Sequence, residues 1–176
     1  SGPLILVVDD GWAASRYWPQ RQTMMMDLLD KAERVERPVI LMTTAPTENG
    51  EIPAPSGLLR PDDARTQVRA LQPKPWPVSR GAALARMENL KVQGQAFAVW
   101  ISDGLAGPDD RAFAERLQSF GGLRVVADQV ERQPHVLLPP TNDGNDWSVR
   151  VLRPTAFGPE RVYLRALAAD GRLLTR

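Results

Sequence analysis

Three carboxylates in this chain stand where an α/β protein keeps its chemistry. Asp9 and Asp10 follow directly on the apolar run Leu4 to Val8, and Asp103 follows the apolar stretch "AFAVWIS" at 96–102. In an open sheet of parallel strands, ligands gather beyond the carboxyl ends of the strands. If the two strands are neighbours, Asp9 comes near Asp103. A hard cation such as Mg²⁺ takes an octahedron of oxygens, usually one or two carboxylates completed by other oxygens and waters. The nearby hydroxyls therefore decide. The expected role of the acid pair is structural: one carboxylate accepts backbone N–H groups or caps the first helix, while the other is solvated. The competing role is recognition of a partner's Lys or Arg. Trp12, Tyr17 and Trp18 share this loop. Aromatic residues anchor interfaces or plug the gap between a loop and a helix, and Trp18 reads as the plug.

Other chemistries are poorly supplied. The chain has no cysteine, which removes disulfides, thiolate nucleophiles and thiolate metal sites. Its one histidine, His135 in "RQPHVLLPP", excludes a histidine-rich zinc site and reads as an ordinary loop or strand residue. A phosphohydrolase of the haloacid-dehalogenase type ends its first strand Asp-x-Asp-Gly. Here the order is Asp-Asp-Gly, and adjacent residues of an extended chain point to opposite sides. The would-be general acid then faces away. The "GGL" at 121–123 follows a helix where a phosphate-binding loop would precede one, and no nucleophile-elbow pattern exists. A receiver-type signalling domain also opens with a strand ending in paired acids, but the next apolar strand, "VILMTTAP", carries no phosphoacceptor. The chain reads as non-catalytic.

Composition sets the outer limits. With 176 residues, 43% of them hydrophobic, the chain can bury one respectable core. Lys and Arg number 22 against 21 Asp and Glu, a net charge of +1. Neither this balance nor the dispersed arginines suits nucleic acid. Arg150, Arg153, Arg161 and Arg165 read as a solvated face. No run of about 20 apolar residues is present to cross a bilayer. The opening Ser1-Gly2 has the look of a tag-cleavage scar, so the chain reads as a soluble segment of something larger.

The positioning elements can be read from periodicity. Leu4 to Val8 is continuously apolar, as in a strand covered on both faces. "QTMMMDLLDKAERVE" carries Met24, Met25, Leu28, Leu29, Ala32 and Val35 at helical spacing, with Asp27/Lys31 and Asp30/Arg34 as i,i+4 ion pairs. Arg37-Pro38 ends that helix and "VILMTT" restarts a strand. Residues 44 to 79 are punctuated by seven prolines, leaving room for one short helix around "PDDARTQVRAL", with Pro61 in its first turn. "RGAALARMENL" is a helix with Ala83, Leu84 and Met87 on one face. "AFAVWIS" is a strand, and a helix capped by Asp109 carries Phe113, Leu117 and Phe120 until Gly121-Gly122 stops it. "LRVVADQV" is a further strand.

This alternation predicts a mostly parallel, Rossmann-like sheet flanked by helices over residues 3–137. The pattern then changes to antiparallel β. Trp147, Val149 and Val151 share one face of "DWSVRVLRP". "ERVYLRALAADGRLL" alternates Val162, Leu164 and Ala166 with Arg161, Tyr163 and Arg165 before an Asp170-Gly171 hairpin turn. Residues 138–176 form this second segment, with the boundary in the loop 138–146; it packs on the first unit or begins a β-sandwich.

"LILVVDDGWAAS", the "AALARM" helix and "AVWISDG" resemble, in that order, the three segments of a von Willebrand factor A domain's metal-ion-dependent adhesion site. The similarity is greatest to the degenerate version in bacterial membrane proteins related to aerotolerance-operon products, which have a double-transmembrane N-terminal region and a C-terminal domain of unknown function. The phrases "DDGWAA" (9–14) and "PWPV.R.AAL" (75–84) carry it, over about residues 3 to 130. The resemblance implies that Asp9 takes the first aspartate position and Asp103 the second. The two serine positions fall on Gly11 and Ala13, and the threonine position falls at or near Val78, beside Ser79. Two of five side-chain ligands remain, so the resemblance implies no specific metal and no other cofactor, Mg²⁺ being the one ion worth testing. Asp10, Ser15 and Ser79 are the nearby substitutes, and none holds the expected register. The resemblance thus implies a protein–protein interaction or assembly domain of a membrane-anchored bacterial protein with a degenerate adhesion site, expected on the periplasmic side of the inner membrane, its partner an unidentified protein. Binding residues are then Asp9, Asp10, Gly11, Trp12, Ser15, Ser79 and Asp103, on a loop face of residues 9–18, 44–60, 72–80 and 103–110. The alternative is metal-dependent adhesion through Asp9 and Asp103.

Overall fold

The computed structural model describes residues 2–127, 136–144, 146–152 and 165–175. Strand β1 (Leu4–Val8) is central. It pairs in parallel with β2 (Val39–Thr43) on one side and β3 (Ala96–Ile101) on the other, and β3 pairs in parallel with β4 (Gly121–Val126), giving the order β2-β1-β3-β4. The first strand and the 96–102 strand, whose adjacency the sequence left open, are neighbours, with Val8 opposite Ile101. Every β1 residue is buried, because both faces are covered. Leu4, Leu6 and Val8 pack with Trp18, Met25 and Leu29 of helix α1 (Trp18–Arg34) and Ala64 and Val68 of α2 (Pro61–Ala70). Ile5 and Val7 pack with Ala83 of α3 (Arg80–Arg86) and Phe113 and Leu117 of α4 (Asp110–Gln118). The period-2 alternation of the strand thus feeds two separate apolar layers.

Several boundaries differ from expectation, each for a local reason. Helix α1 begins at Trp18 rather than Gln22, and the loop before it is wound into a 3-10 helix, Trp12–Tyr17. Proline at its second position needs no backbone N–H there. Met24 and Val35 lie outside the core, at 38% and 67% exposure, because the buried stripe runs through Met25, Leu29 and Ala32 and Met24 sits about 100° round the helix from it. Asp30 reaches across to Arg65 of α2 at 2.7 Å instead of along the helix to Arg34. Helix α4 stops at Gln118, so Gly121-Gly122 open β4 rather than end the helix. Glycine is required there: Gly121 has φ of +149°, and a Cβ would stand 2.0 Å from the Ala96 carbonyl oxygen.

Beyond β4 the described residues form short antiparallel pairs. β5 (Val136–Leu137) pairs with β8 (Val151–Leu152), β6 (Thr141–Asp143) with β7 (Asp146–Ser148), and β9 (Ala166–Leu167) with β10 (Leu173–Thr175). The continuous strand expected over "DWSVRVLRP" is therefore two short ones. The last pair turns at Asp170-Gly171 as expected, with Gly171 at φ +82°. His135, Arg153, Arg161, Val162, Tyr163 and Leu164 lie outside the described residues.

Candidate functional site

The proline-rich stretch after α2 decides the site. Residues 71–79 run across the carboxyl ends of the strands: Lys74 N–H donates to the Asp10 carbonyl at 2.8 Å, Trp12 N–H to the Trp76 carbonyl at 3.1 Å, and Ser79 N–H to the Thr44 carbonyl at 2.8 Å. This path places Lys74 and Arg80 over the two acids that end β1. Pro73, Pro75 and Pro77 suit it, since an extended segment that crosses strand ends uses few of its own N–H groups.

Asp9 and Asp10 are both fully buried, which corrects the expectation that one of them is solvated. Their side chains leave in opposite directions, as neighbours in an extended chain must, and each meets its own cation. Asp9 Oδ1 accepts the Thr44 hydroxyl at 2.6 Å, and Oδ2 accepts the Asp103 N–H at 3.0 Å and Arg80 Nη2 at 2.8 Å. Arg80 Nη2 also donates to Asp103 Oδ1 at 2.7 Å, while Nη1 donates to Asp110 Oδ1 at 2.8 Å and to the Leu105 carbonyl at 2.7 Å. Asp103 Oδ1 further accepts the Leu105 N–H, and Asp110 Oδ2 the Gly107 N–H. On the other side, Asp10 accepts the Ala45 N–H at 2.9 Å and is ion-paired with Lys74. The Arg80 guanidinium lies 5.0 Å from the Trp100 ring centroid, and Trp100 meets Phe113 edge-on at 5.1 Å, so an aromatic floor backs the charge cluster.

The electrostatics arise from this crowding. Burial, and then the neighbouring charge of Asp9, push the Asp103 carboxyl above its ordinary range, against the pull of Arg80 and the Leu105 N–H. For Arg80, burial acts to lower the pKa, but the charges of Asp9, Asp103 and Asp110 outweigh it and hold the guanidinium more firmly protonated than usual.

Of the residues singled out from sequence, Asp9 and Asp103 are brought together through Arg80, and Asp10 stands apart with Lys74. A cavity of about 260 Å³ opens above Arg80, its wall including Trp12, Ser79, Asp103, Leu105 and Asp109. Trp12 is 36% exposed at its rim, whereas Trp18 is buried and plugs the core. Ser15 turns away, its hydroxyl donating to the Trp12 carbonyl at 2.6 Å. Ser79 contributes its backbone to the Thr44 contact, and its side chain makes no cap to α3. Gly11 is pressed against the crossing segment: a Cβ there would stand 2.9 Å from the Trp76 carbonyl oxygen and 3.0 Å from the Val78 nitrogen.

Comparison with solved structures places this architecture. An aerotolerance-related membrane protein from Bacteroides fragilis, carrying multiple mutations to serine, superposes with a TM-score of 0.53 at 15% identity, over 87% of this chain and 82% of that one. The fold is that of a von Willebrand factor A-like domain. Proximal thread matrix protein 1 from the mussel byssus matches at 16% identity and a TM-score of 0.48, over 71% of this chain and 37% of the mussel protein's length. Another structure of that protein, with a zinc-occupied adhesion-site motif, matches at 15% identity and a TM-score of 0.49, over 72% of this chain and 37% of that one. No protein-family model and no curated protein matches the chain.

Within this von Willebrand factor A-like frame, sequence reasoning missed Thr44, Lys74, Arg80 and Asp110. Arg80 left a signal in "VSRGAAL". A cation at the first position of a helix faces the positive end of the peptide dipoles, so an arginine there, among small residues that cannot shield it, calls for nearby acids. Lys74 and Thr44 left none, because only the chain's path brings them to β1. Among the described residues, no three carboxylate, thiolate or imidazole groups are gathered closely enough to hold a metal ion.

Proposed function

We propose that this domain is a non-catalytic protein–protein interaction module of a membrane-anchored protein, and that its adhesion site is degenerate. One observation carries the reading: the carboxylates at the strand ends are engaged inside the molecule, Asp9 and Asp103 by Arg80 and Asp10 by Lys74. A nucleophile or general acid has to reach a substrate from a position within hydrogen-bond distance, and fully buried, ion-paired Asp9 and Asp10 do not offer that. Their evident work is to tie together the loops 9–17, 44–46, 71–79 and 103–110, which form one face at the end of the sheet.

The donor set does not fit a divalent ion. The guanidinium of Arg80 sits between the two aspartates expected to ligate, and the first missing serine position, Gly11, has no room for a side chain beneath the Trp76 carbonyl. No step is therefore routed through a metal. The Bacteroides protein is described as a membrane protein; among the described residues here no helix is long and apolar enough to cross a bilayer, so an anchor would lie outside them, and a periplasmic position is part of the proposal.

Photo-crosslinking in cells tests the reading. A crosslinking amino acid at Trp12 or Ala106, on the loop face of the full-length protein, is expected to trap a discrete protein partner. The same group at Gln93, at the opposite end of the sheet, is not. Equal labelling from both ends, or none from the loop face, contradicts a docking role there. Metal-dependent adhesion through Asp9 and Asp103 would appear instead as crosslinking that requires Mg²⁺ and disappears with chelator.

A further inference from the structure

We propose that Arg80 is a resident cation: its guanidinium takes the place that a divalent ion would occupy between Asp9 and Asp103, so that the site is held closed without metal. The proposal deepens the interaction-module reading and shares its premise that no ion is bound, but its readouts are metal binding and stability rather than a partner.

The geometry is that of a coordination sphere with the ion replaced. Four of the five N–H donors of a guanidinium are used by Asp9 Oδ2, Asp103 Oδ1, Asp110 Oδ1 and the Leu105 carbonyl, all within 2.8 Å of a guanidinium nitrogen. The Nε–H has no partner among the described residues. Three carboxylates and a carbonyl surround the guanidinium; as they stand they are not gathered closely enough to hold a metal ion, but they are the hard-oxygen donors that Mg²⁺ or Mn²⁺ takes when waters complete the sphere. The positive charge already there excludes the ion. A buried guanidinium both neutralises the acids and pushes them apart by its width, which explains why no metal-sized group of carboxylates is present among the described residues. The crossing segment 71–79 delivers Arg80 to this point as the first residue of α3, and the same segment blocks the serine position at Gly11. One path of the chain therefore leaves no room for a side chain at Gly11 and brings in the charge of Arg80.

Removing the arginine should reopen the site to metal. Calorimetric titration of the wild-type chain with MnCl₂ is expected to give no saturable heat, and its melting temperature should be the same in EDTA and in millimolar Mn²⁺. Arg80→Ala is expected to melt lower in EDTA, to regain stability as Mn²⁺ is added, and to bind one Mn²⁺ at least tenfold more tightly than wild type. Adding Asp103→Asn to Arg80→Ala should abolish that response. Tight stoichiometric binding by wild type, or a folded Arg80→Ala protein indifferent to Mn²⁺, overturns the proposal. Should Arg80→Ala fail to fold in EDTA, recovery in Mn²⁺ supports it. If neither condition yields folded protein, Arg80→Met combined with Asp9→Asn and Asp103→Asn decides: a folded triple variant supports charge replacement, and an unfolded one refutes it. A failure of the crosslinking experiment leaves all of these outcomes readable, so the two ideas fall separately.

Discussion

Arg80 is where the energetics of single residues concentrate. A buried ion pair costs desolvation on both sides and contributes little net stability when intact, but removing one partner strands the other at about 3 to 5 kcal/mol. Arg80→Met should therefore lower the unfolding free energy by about that amount in urea titrations; a loss below about 1 kcal/mol, typical of an exposed pair, would mean that the cluster is solvated. Asp103 allows a test of sign. Its carboxyl is raised in the folded state, so between the ordinary carboxylate pKa and the raised one the folded protein binds more protons than the unfolded chain. Stability contributed by this group is then present at low pH and falls as pH rises through that window. Asp103→Asn keeps the acceptor to Leu105 and Arg80 but cannot ionise. The stability of wild type minus that of Asp103→Asn should fall as pH rises above about 4, measured by urea denaturation across a pH series; a flat or rising difference contradicts the assignment.

At the scale of elements, the segment 71–79 behaves as a strap fastened at Lys74 and at Arg80. Gly11 records its pressure. Gly11→Ser would restore a hydroxyl at an expected ligand position, yet its Cβ collides with backbone at Trp76 and Val78, and overpacking of this kind costs about 1 to 3 kcal/mol. The expected outcome is a lower melting temperature with no gain in Mn²⁺ affinity; a stable variant that binds Mn²⁺ would show that the strap yields. Across the sheet, Phe113 is fully buried and meets Trp100, the floor beneath Arg80. Phe113→Ala should cost about 3 to 5 kcal/mol, and partial loss of near-ultraviolet dichroism from Trp100 should accompany it.

For the molecule as a whole, much of the sheet is legible in the residue pattern. The unbroken apolar runs of β1 and β3 read as buried strands, and the intervening helical periodicities imply parallel connections, so the mostly parallel sheet is legible in the pattern; that β1 and β3 are neighbours, which brings Asp9 near Asp103, is decided by the folded sheet. Pro61 at the start of α2 and Asp170-Gly171 at the last turn are local signals that tertiary packing had no reason to override. Gly121 reads locally as a helix stop, yet its close approach to Ala96 is a contact between strands, invisible to a local rule. Met24 reads as core because three consecutive methionines satisfy a helical stripe in more than one register.

The sequence by itself determined that no side-chain oxygen stands at Gly11 or Ala13, whatever the fold. Only the tertiary structure decided which cations meet Asp9 and Asp10. Arg80 lies 71 residues from Asp9 along the chain, and Lys74 lies 64 from Asp10. Pairings at such separation depend on the route of a proline-rich strap whose path no periodicity encodes. Local residue types fix what a position can offer; the partner that takes up the offer is set by the long-range geometry of the folded chain.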